Sequence, residues 1–194
     1  MLPDRAPDDD RPVVLMVEDA ARCGRIRTVQ RAWAPAGIRP TVPYQVVRES
    51  RYAYAAVAPA LGRMTTRVVP RANTAMMNRL LAQVAADVAD CFVVMQGDGA
   101  GWHTARERQV PDTIRLIVQP ADRPQRNPVE HLWDDIREKE FPHVLHTSLD
   151  AVEDAVSAGL RRLAAVPDKL RSMTLFPHIR DALAHLPTAL ACAI

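Results

Sequence analysis

Three short, mostly apolar runs place the tightest limits on what this chain can fold into. They are Val13–Val17, Phe92–Met95 and Thr113–Val118, and each is rich in β-branched side chains. Runs of this length and composition are typical of β-strands. The first two lack the alternation of apolar and polar residues that is typical of a strand with one solvent-exposed face, so we expect them to be buried on both faces. The sequence therefore predicts a central sheet with other structure packed on both sides.

A β-hairpin is predicted between the first and second of these strands. The segments Gln45–Val57 and Met64–Val69 are rich in β-branched and aromatic residues, and Pro59–Gly62 separates them. Two such segments around a short turn are typical of antiparallel pairing. The stretch Thr28–Trp33 predicts a further short strand.

Helical periodicity accounts for the remaining segments. In Asn73–Ala89 apolar residues recur every three or four positions, with Asn73 or the next residue as cap. Asn127–Glu140 begins with Asn-Pro and places acids before bases, and Ser148–Leu163 has one apolar face. A last short helix is predicted from Asp168 onward. Strands and helices in this order predict an α/β fold, a mixed sheet flanked by helices.

Length and composition predict one globular domain. The chain has 194 residues, of which 48% are hydrophobic, enough for one core but few for two. We expect the domain to span residues 13–185, between a solvated tail at residues 1–12 and a C-terminal tail at residues 186–194. No apolar run approaches the length of a membrane helix, and the first residues lack the apolar stretch of a signal peptide. The three cysteines lie far apart without zinc-site spacing or a disulfide framework, which favours the cytoplasm.

Acidic residues follow the predicted strands at three distant places. Asp19 ends the first strand, Asp98 lies in a glycine-rich turn just past the second, and Glu130 lies in the first turn of the helix after the third. Sites in open sheets form at the carboxyl ends of parallel strands, so these acids can converge. Three carboxylates would repel one another unless cations intervened. Their hard oxygens suit Mg²⁺ or Mn²⁺, and two such ions can clamp a phosphodiester.

Each acid also has a plainer interpretation. Asp19 can be an ordinary strand-end residue, and Asp98 an ordinary turn residue, since Asp tolerates turn geometry. With Asn127 as cap, Glu130 would be the third helical residue, where a glutamate completes a capping box. Glu18 should point to the opposite face from Asp19 if the strand continues.

The glycine-rich turn does not fit a nucleotide-binding loop. Gly97, Gly99 and Gly101 alternate, whereas the dinucleotide fingerprint requires G-x-G-x-x-G at the start of a helix. An acid in the middle of the loop would also repel phosphate. We therefore interpret the glycines as allowing a sharp turn beside Asp98.

Five stretches together carry a family resemblance: EDAARCGRI, RAWAPAGIRP, QVVRESRYAYAAV, VVMQGDGAGWH and NPVEHLWDDIREK. Over about residues 13–180 the chain resembles the catalytic domain of insertion-sequence transposases in the bacterial branch of the mariner-like superfamily. These are DDE endonucleases with a ribonuclease H-like fold. The resemblance implies that Asp19, Asp98 and Glu130 are the catalytic acids and hold two Mg²⁺ or Mn²⁺ ions. It further implies cleavage and strand transfer of double-stranded DNA at insertion-sequence ends, by a homodimer.

The resemblance also suggests residues that contact the substrate. They are His103 in the second motif, Arg123 and Arg126 in the loop after the third strand, and Asn127. The chain departs from the family pattern at Ala20, where a glutamate is usual. It departs again in the loop QPADRPQRNP, which lacks the usual tyrosine and serine.

Two residues near Glu130 can be explained without a role in the site. Trp133 is expected to pack in the core. Asp134 lies one turn after Glu130 and could assist a metal, although a solvated helical acid is the simpler interpretation.

Full-length relatives carry an N-terminal helix-turn-helix that recognises the transposon ends. This chain begins almost directly at the first catalytic strand, so we expect an upstream polypeptide to supply recognition. The expected function is that of a transposase catalytic domain acting at the nucleoid. Two alternatives remain: a truncated, catalytically impaired remnant, and a non-catalytic nucleic-acid-binding module that uses the arginines.

Overall fold

The computed structural model describes residue 5 and residues 9–26, 33–39, 41, 44–98, 107–119, 127–141 and 145–185. Its strands form one five-stranded sheet in the order β3-β2-β1-β4-β5. β1 pairs antiparallel with β2 and parallel with β4, while β4 and β5 are parallel and β2 and β3 form the hairpin. The predicted mixed sheet is therefore confirmed. The strands are β1 Val13–Gly24, β2 Ser50–Ala58, β3 Arg63–Val69, β4 Phe92–Gly97 and β5 Ile114–Val118.

The first strand is longer than predicted. It continues seven residues beyond Val17 because β2 still pairs with it, from Val17 opposite Val57 to Gly24 opposite Ser50. The prediction that Asp19 ends this strand was wrong, since Asp19 lies inside it. Of the further strand predicted at Thr28–Trp33, only Trp33 lies among the described residues, and it is fully exposed and not in a strand.

Helices form at the predicted segments, and the last predicted helix is two helices. Asn73 caps the first helix, because its side chain accepts a hydrogen bond from the Met76 N–H at 3.0 Å. Ser148 caps the third in the same way, accepting from the Ala151 N–H. The helices are α1 Thr74–Asp87, α2 Val129–Glu140, α3 Leu149–Ala164, α4 Pro167–Thr174 and α5 Pro177–Ala184.

The sheet separates two hydrophobic cores, as its uninterrupted apolar strands predicted. On one face Met16 and Tyr54 pack against α1. On the other face Val17 and Ala21 pack against α2, α3, α4 and α5. Neighbouring residues of β1 thus enter different cores, because side chains alternate along a strand. This alternation decides which layer each acid of the site faces.

Two further findings concern the cysteines and the membrane. Cys23 is a free thiol, and burial raises its pKa to about 11. Cys91 is disulfide-bonded, which the cysteine spacing did not predict. Within the described ranges, no helix is both long and apolar enough to cross a lipid bilayer.

Candidate active site

The register of two parallel strands brings Asp19 and Asp98 to the same level. β1 pairs with β4 from Val13 opposite Phe92 to Val17 opposite Gln96. The same register continued for two residues sets Asp19 opposite Asp98, which directly follows β4. Asp19 has the parity of Val17, so it belongs to the face that α2 and α3 cover. Asp98 lies past the end of β4, and its charge contributes to the raised pKa of Tyr54, which packs on the opposite face of the sheet.

Asp19 is almost completely buried, with 7% of its surface exposed. Its Oδ2 accepts a hydrogen bond of 2.8 Å from the indole Nε1 of Trp133. Burial, together with the charges of Glu130 and Glu18, raises the pKa of Asp19 to about 7 despite that hydrogen bond. A carboxylate in this position is poorly stabilised as an anion, and a nearby cation would reverse that.

Glu130 is held above β1 by the start of α2. Asn127, 5% exposed, donates through Nδ2 to the main-chain oxygen of Glu18 at 3.2 Å. Its Oδ1 accepts from the Val129 N–H at 3.0 Å. These bonds tie the first turn of α2 to the strand that carries Asp19. The charge of Glu130 acts on Asp19 as a result.

The predicted capping box at this helix was wrong. The helix begins at Val129, so Glu130 is its second residue and not its third, and the cap position is Pro128, without a side-chain hydrogen bond. The reason is that the Asn127 side chain is used between Glu18 and Val129.

Glu18 faces the opposite core from Asp19, as predicted. It is fully buried, and so is Tyr54, which packs on the same face of the sheet. Burial, together with the charge of Glu18, raises the pKa of Tyr54 to about 12. Consecutive acids in β1 thus serve different layers of the protein.

The remaining predicted residues fall into three groups. His103, Arg123 and Arg126 lie outside the described residues. Asn127 is described, and its side chain is occupied with the internal hydrogen bonds given above. Asp134 is the predicted solvated acid, since its side chain is 70% exposed and pairs with Arg137 at 2.9 Å.

Trp133 packs in the core, as predicted, but sequence reasoning missed its contact with Asp19. The indole is 1% exposed, and 114 positions separate it from its acceptor. A signal was present in the sequence, because Trp133 follows Glu130 by three positions. That spacing places both side chains on one face of the helix.

The donor set suits a hard divalent cation. Asp19 and Glu130 repel one another, and Asp98 directly follows the neighbouring strand β4. Carboxylate oxygens of this kind bind Mg²⁺ and Mn²⁺. In the described part of the chain, which includes Asp19, Asp98 and Glu130, no three His, Cys, Asp or Glu side chains form a group that could hold a metal ion.

Comparison with known proteins shows the family of the chain. Residues 14–153 match the family described as DDE superfamily endonuclease. The chain is also similar to the uncharacterized protein y4pE/y4sA of Sinorhizobium fredii (strain NBRC 101917 / NGR234). The two are 31% identical over 125 residues, which are 64% of this chain and 93% of that protein.

Solved structures of Mos1 complexes have a similar fold. The mariner Mos1 paired-end complex with Mg matches with a TM-score of 0.59 and 16% identity, over 81% of this chain and 50% of that chain. The paired-end complex with Mn matches with a TM-score of 0.55 and 13% identity, over 81% of this chain and 54% of that chain. The chain thus spans about half the length of the Mos1 chains that it matches.

Proposed function

The chain belongs to the DDE superfamily endonuclease family, and we propose that it cleaves DNA strands at the ends of an insertion sequence and joins them to a target. Its α/β fold is the ribonuclease H-like fold of the transposase structures that it resembles. One observation supports the proposal most directly. The charge of Glu130, at the start of α2, acts on the buried carboxyl of Asp19, and Asp98 directly follows the neighbouring strand β4.

Asp19, Asp98 and Glu130 would hold two Mg²⁺ or Mn²⁺ ions. When bound, such ions activate water or a 3′ hydroxyl and stabilise the leaving oxygen of a phosphodiester. Mos1 forms paired-end complexes with Mg and with Mn, which agrees with this choice of ion. No side-chain nucleophile is required.

The protein's own contribution is placement and shielding of the acids. Burial keeps water from most of Asp19 and makes its carboxylate depend on cations for charge balance. Asn127 fixes the start of α2, so the position of Glu130 relative to β1 is fixed. Holding these two acids in place in advance reduces the reorganisation that the reaction requires.

The proposed substrate is double-stranded DNA, at the element's ends and at the target. His103, Arg123 and Arg126 are the proposed contacts, and arginine suits phosphate because its planar guanidinium binds two oxygens. Asn127, predicted from the sequence as a further contact, is buried and its side chain is engaged within the protein. Structures of Mos1 include a paired-end complex with a transposon end, which supports DNA as the partner here, and we propose a homodimer as the working form. We further propose that an upstream helix-turn-helix polypeptide recognises the end sequence, and that the protein acts at the nucleoid in the cytoplasm.

A cleavage assay tests the proposal. A labelled duplex that carries the element's terminal repeat is incubated with the protein and the upstream polypeptide in Mg²⁺ or Mn²⁺. We expect nicking that chelators abolish and that Asp98→Asn reduces by at least about 100-fold, since even outer-shell changes cost 10–100-fold. Asp134→Asn is the matched control, because Asp134 is an exposed acid on the same helix as Glu130. It should cleave like wild type.

The other outcomes discriminate between the alternatives. No cation-dependent cleavage by the wild type would favour the catalytically impaired remnant. If the protein binds DNA and Asp98→Asn leaves cleavage unchanged, the cleavage comes from a contaminating nuclease. That result would favour the non-catalytic module.

A further inference from the structure

The indole of Trp133 is unusually placed for a core tryptophan. Its ring lies among the buried side chains of the α2–α3 layer, and 1% of the residue is exposed. Its N–H donates to Oδ2 of Asp19 at 2.8 Å, a short bond between an uncharged donor and an acid of the site. A buried indole needs an acceptor, but main-chain carbonyls supply most such acceptors. Here the acceptor is a carboxylate that the reaction needs.

The bond restricts how Asp19 can bind a cation. A carboxylate has two oxygens and can chelate one ion symmetrically or offer each oxygen separately. The indole takes one lone pair of Oδ2, which restrains rotation of the carboxylate and leaves Oδ1 and the second lone pair of Oδ2 for a cation.

One helix then determines the positions of two of the three acids. α2 supplies Glu130 in its first turn, and one turn later it supplies the donor that holds Asp19. A rigid helix keeps the separation of residues 130 and 133 constant. Any shift of α2 would therefore move Glu130 and the Asp19 carboxylate together.

We propose that Trp133 is a positioning residue that orients the Asp19 carboxylate toward the cations and keeps its position fixed relative to Glu130. This inference rests on the proposed function, because it requires that the acids bind divalent ions. Partners that hydrogen-bond a metal ligand typically contribute 10–100-fold to metal affinity. Trp133 would act in that way without touching the cations or the DNA.

Direct measurement of Mn²⁺ binding by calorimetry tests the inference without requiring activity. We expect Trp133→Phe, which keeps an aromatic ring but lacks the N–H, to bind Mn²⁺ roughly tenfold more weakly than wild type. Leu132→Ala is the matched control, since Leu132 is fully buried on the same helix and its apolar side chain cannot hydrogen-bond Asp19. It should lower the melting temperature but keep the Mn²⁺ affinity of the folded protein.

Two results would overturn the inference while leaving the proposed function intact. In one, Trp133→Phe binds Mn²⁺ as tightly as wild type. In the other, Leu132→Ala weakens binding as much as Trp133→Phe, which would reduce the effect to general packing. Absence of Mn²⁺ binding by the wild type would instead overturn the cation site of the proposed function, and this inference with it.

A second variant covers the case in which Trp133→Phe does not fold. Incorporating 3-benzothienylalanine at position 133 replaces the indole N–H by sulfur and preserves the shape of the ring system. Weaker Mn²⁺ binding by this variant supports the inference, and unchanged binding overturns it.

Discussion

Asn127 fastens the start of α2 to β1 through a 3.2 Å hydrogen bond to the main-chain oxygen of Glu18. The two residues are 109 positions apart, and the contact is buried. The Glu18 carbonyl belongs to the residue directly before Asp19. The bond therefore fixes the distance between the strand that carries one acid and the helix that carries another.

Replacing Asn127 by alanine should destabilise the protein by about 2 kcal/mol, because the change leaves a buried carbonyl and a buried N–H without their partner. Cleavage and Mn²⁺ affinity should fall as well, since Glu130 loses its fixed position. Urea denaturation measures the first effect and calorimetry the second. Ser148→Ala is the control: it removes the cap of α3 at a cost of about 1 kcal/mol and should leave Mn²⁺ affinity unchanged. Equal losses of affinity in both variants would contradict a specific role of Asn127.

The raised pKa of Asp19 predicts that the cation-free protein loses stability as pH rises. The unfolded carboxyl ionises near pH 4, whereas in the folded protein burial raises the pKa of Asp19 to about 7. Between these values the folded state holds a proton that the unfolded state has released. The free energy of unfolding therefore decreases as the pH rises through this window, and the contribution of the protonated carboxyl is lost above it. The loss is on the order of 4 kcal/mol.

Denaturation in chelator at pH 5 and pH 8 measures this effect. The variant Asp19→Asn lacks the titrating carboxyl. The difference between wild type and variant in the free energy of unfolding therefore isolates the contribution of that carboxyl. The comparison also removes the opposing effect of His146, whose pKa burial lowers. Parallel stability profiles for the two proteins would refute the prediction.

Local patterns in the sequence predicted most of the elements. Apolar runs gave the strands and periodic apolar residues gave the helices, because both report which faces are buried. The caps Asn73 and Ser148 were recognised for the same local reason, since a cap bonds only to the next turn. The end of β1 was missed because pairing with β2 extends it, and that pairing joins distant segments.

Candidate acids could be proposed from the sequence, whereas their contacts could not. The geometry of open α/β sheets pointed to residues 19, 98 and 130, and their role as the acids of the site stays a prediction. The bonds of Trp133 and Asn127 cross more than 100 positions. No local spacing reports such a contact, and each of these side chains also had a simpler local explanation.

Gly62 should tolerate no side chain. Its φ is 62°, and an added Cβ would lie 2.3 Å from the main-chain oxygen of Pro167 at the start of α4. Gly37 is a matched control, because its φ is 85° and nothing lies within 4 Å of the Cβ position. Gly37→Ala should cost about 1 kcal/mol through backbone strain alone. Gly62→Ala should lower the stability measured by thermal denaturation clearly more than Gly37→Ala does. Equal losses of stability would show that the hairpin turn is not in close contact with α4.

Asp135 should be the acid that contributes most to holding the helical layer together. Its carboxylate, 10% exposed, binds Lys139 of α2, Lys169 of α4 at 2.7 Å and Arg162 of α3 at 2.8 Å. Burial alone would raise its pKa, but the hydrogen bonds from these cations lower the pKa of Asp135 well below its ordinary value. The stabilisation is therefore present above about pH 4 and is lost as the pH falls further.

Asp135→Asn should cost about 2 kcal/mol at pH 7, a figure discounted because the three cations are partly exposed to solvent. The neighbouring Asp134→Asn should change stability by less than about 0.5 kcal/mol, since its pair with Arg137 is exposed. Urea denaturation at pH 7 and pH 3 measures both variants. The gap between wild type and Asp135→Asn should shrink at pH 3, because the carboxyl is then largely protonated in the unfolded protein while it stays ionised in the folded one. A gap that stays constant with pH would show that packing, rather than charge, makes position 135 important.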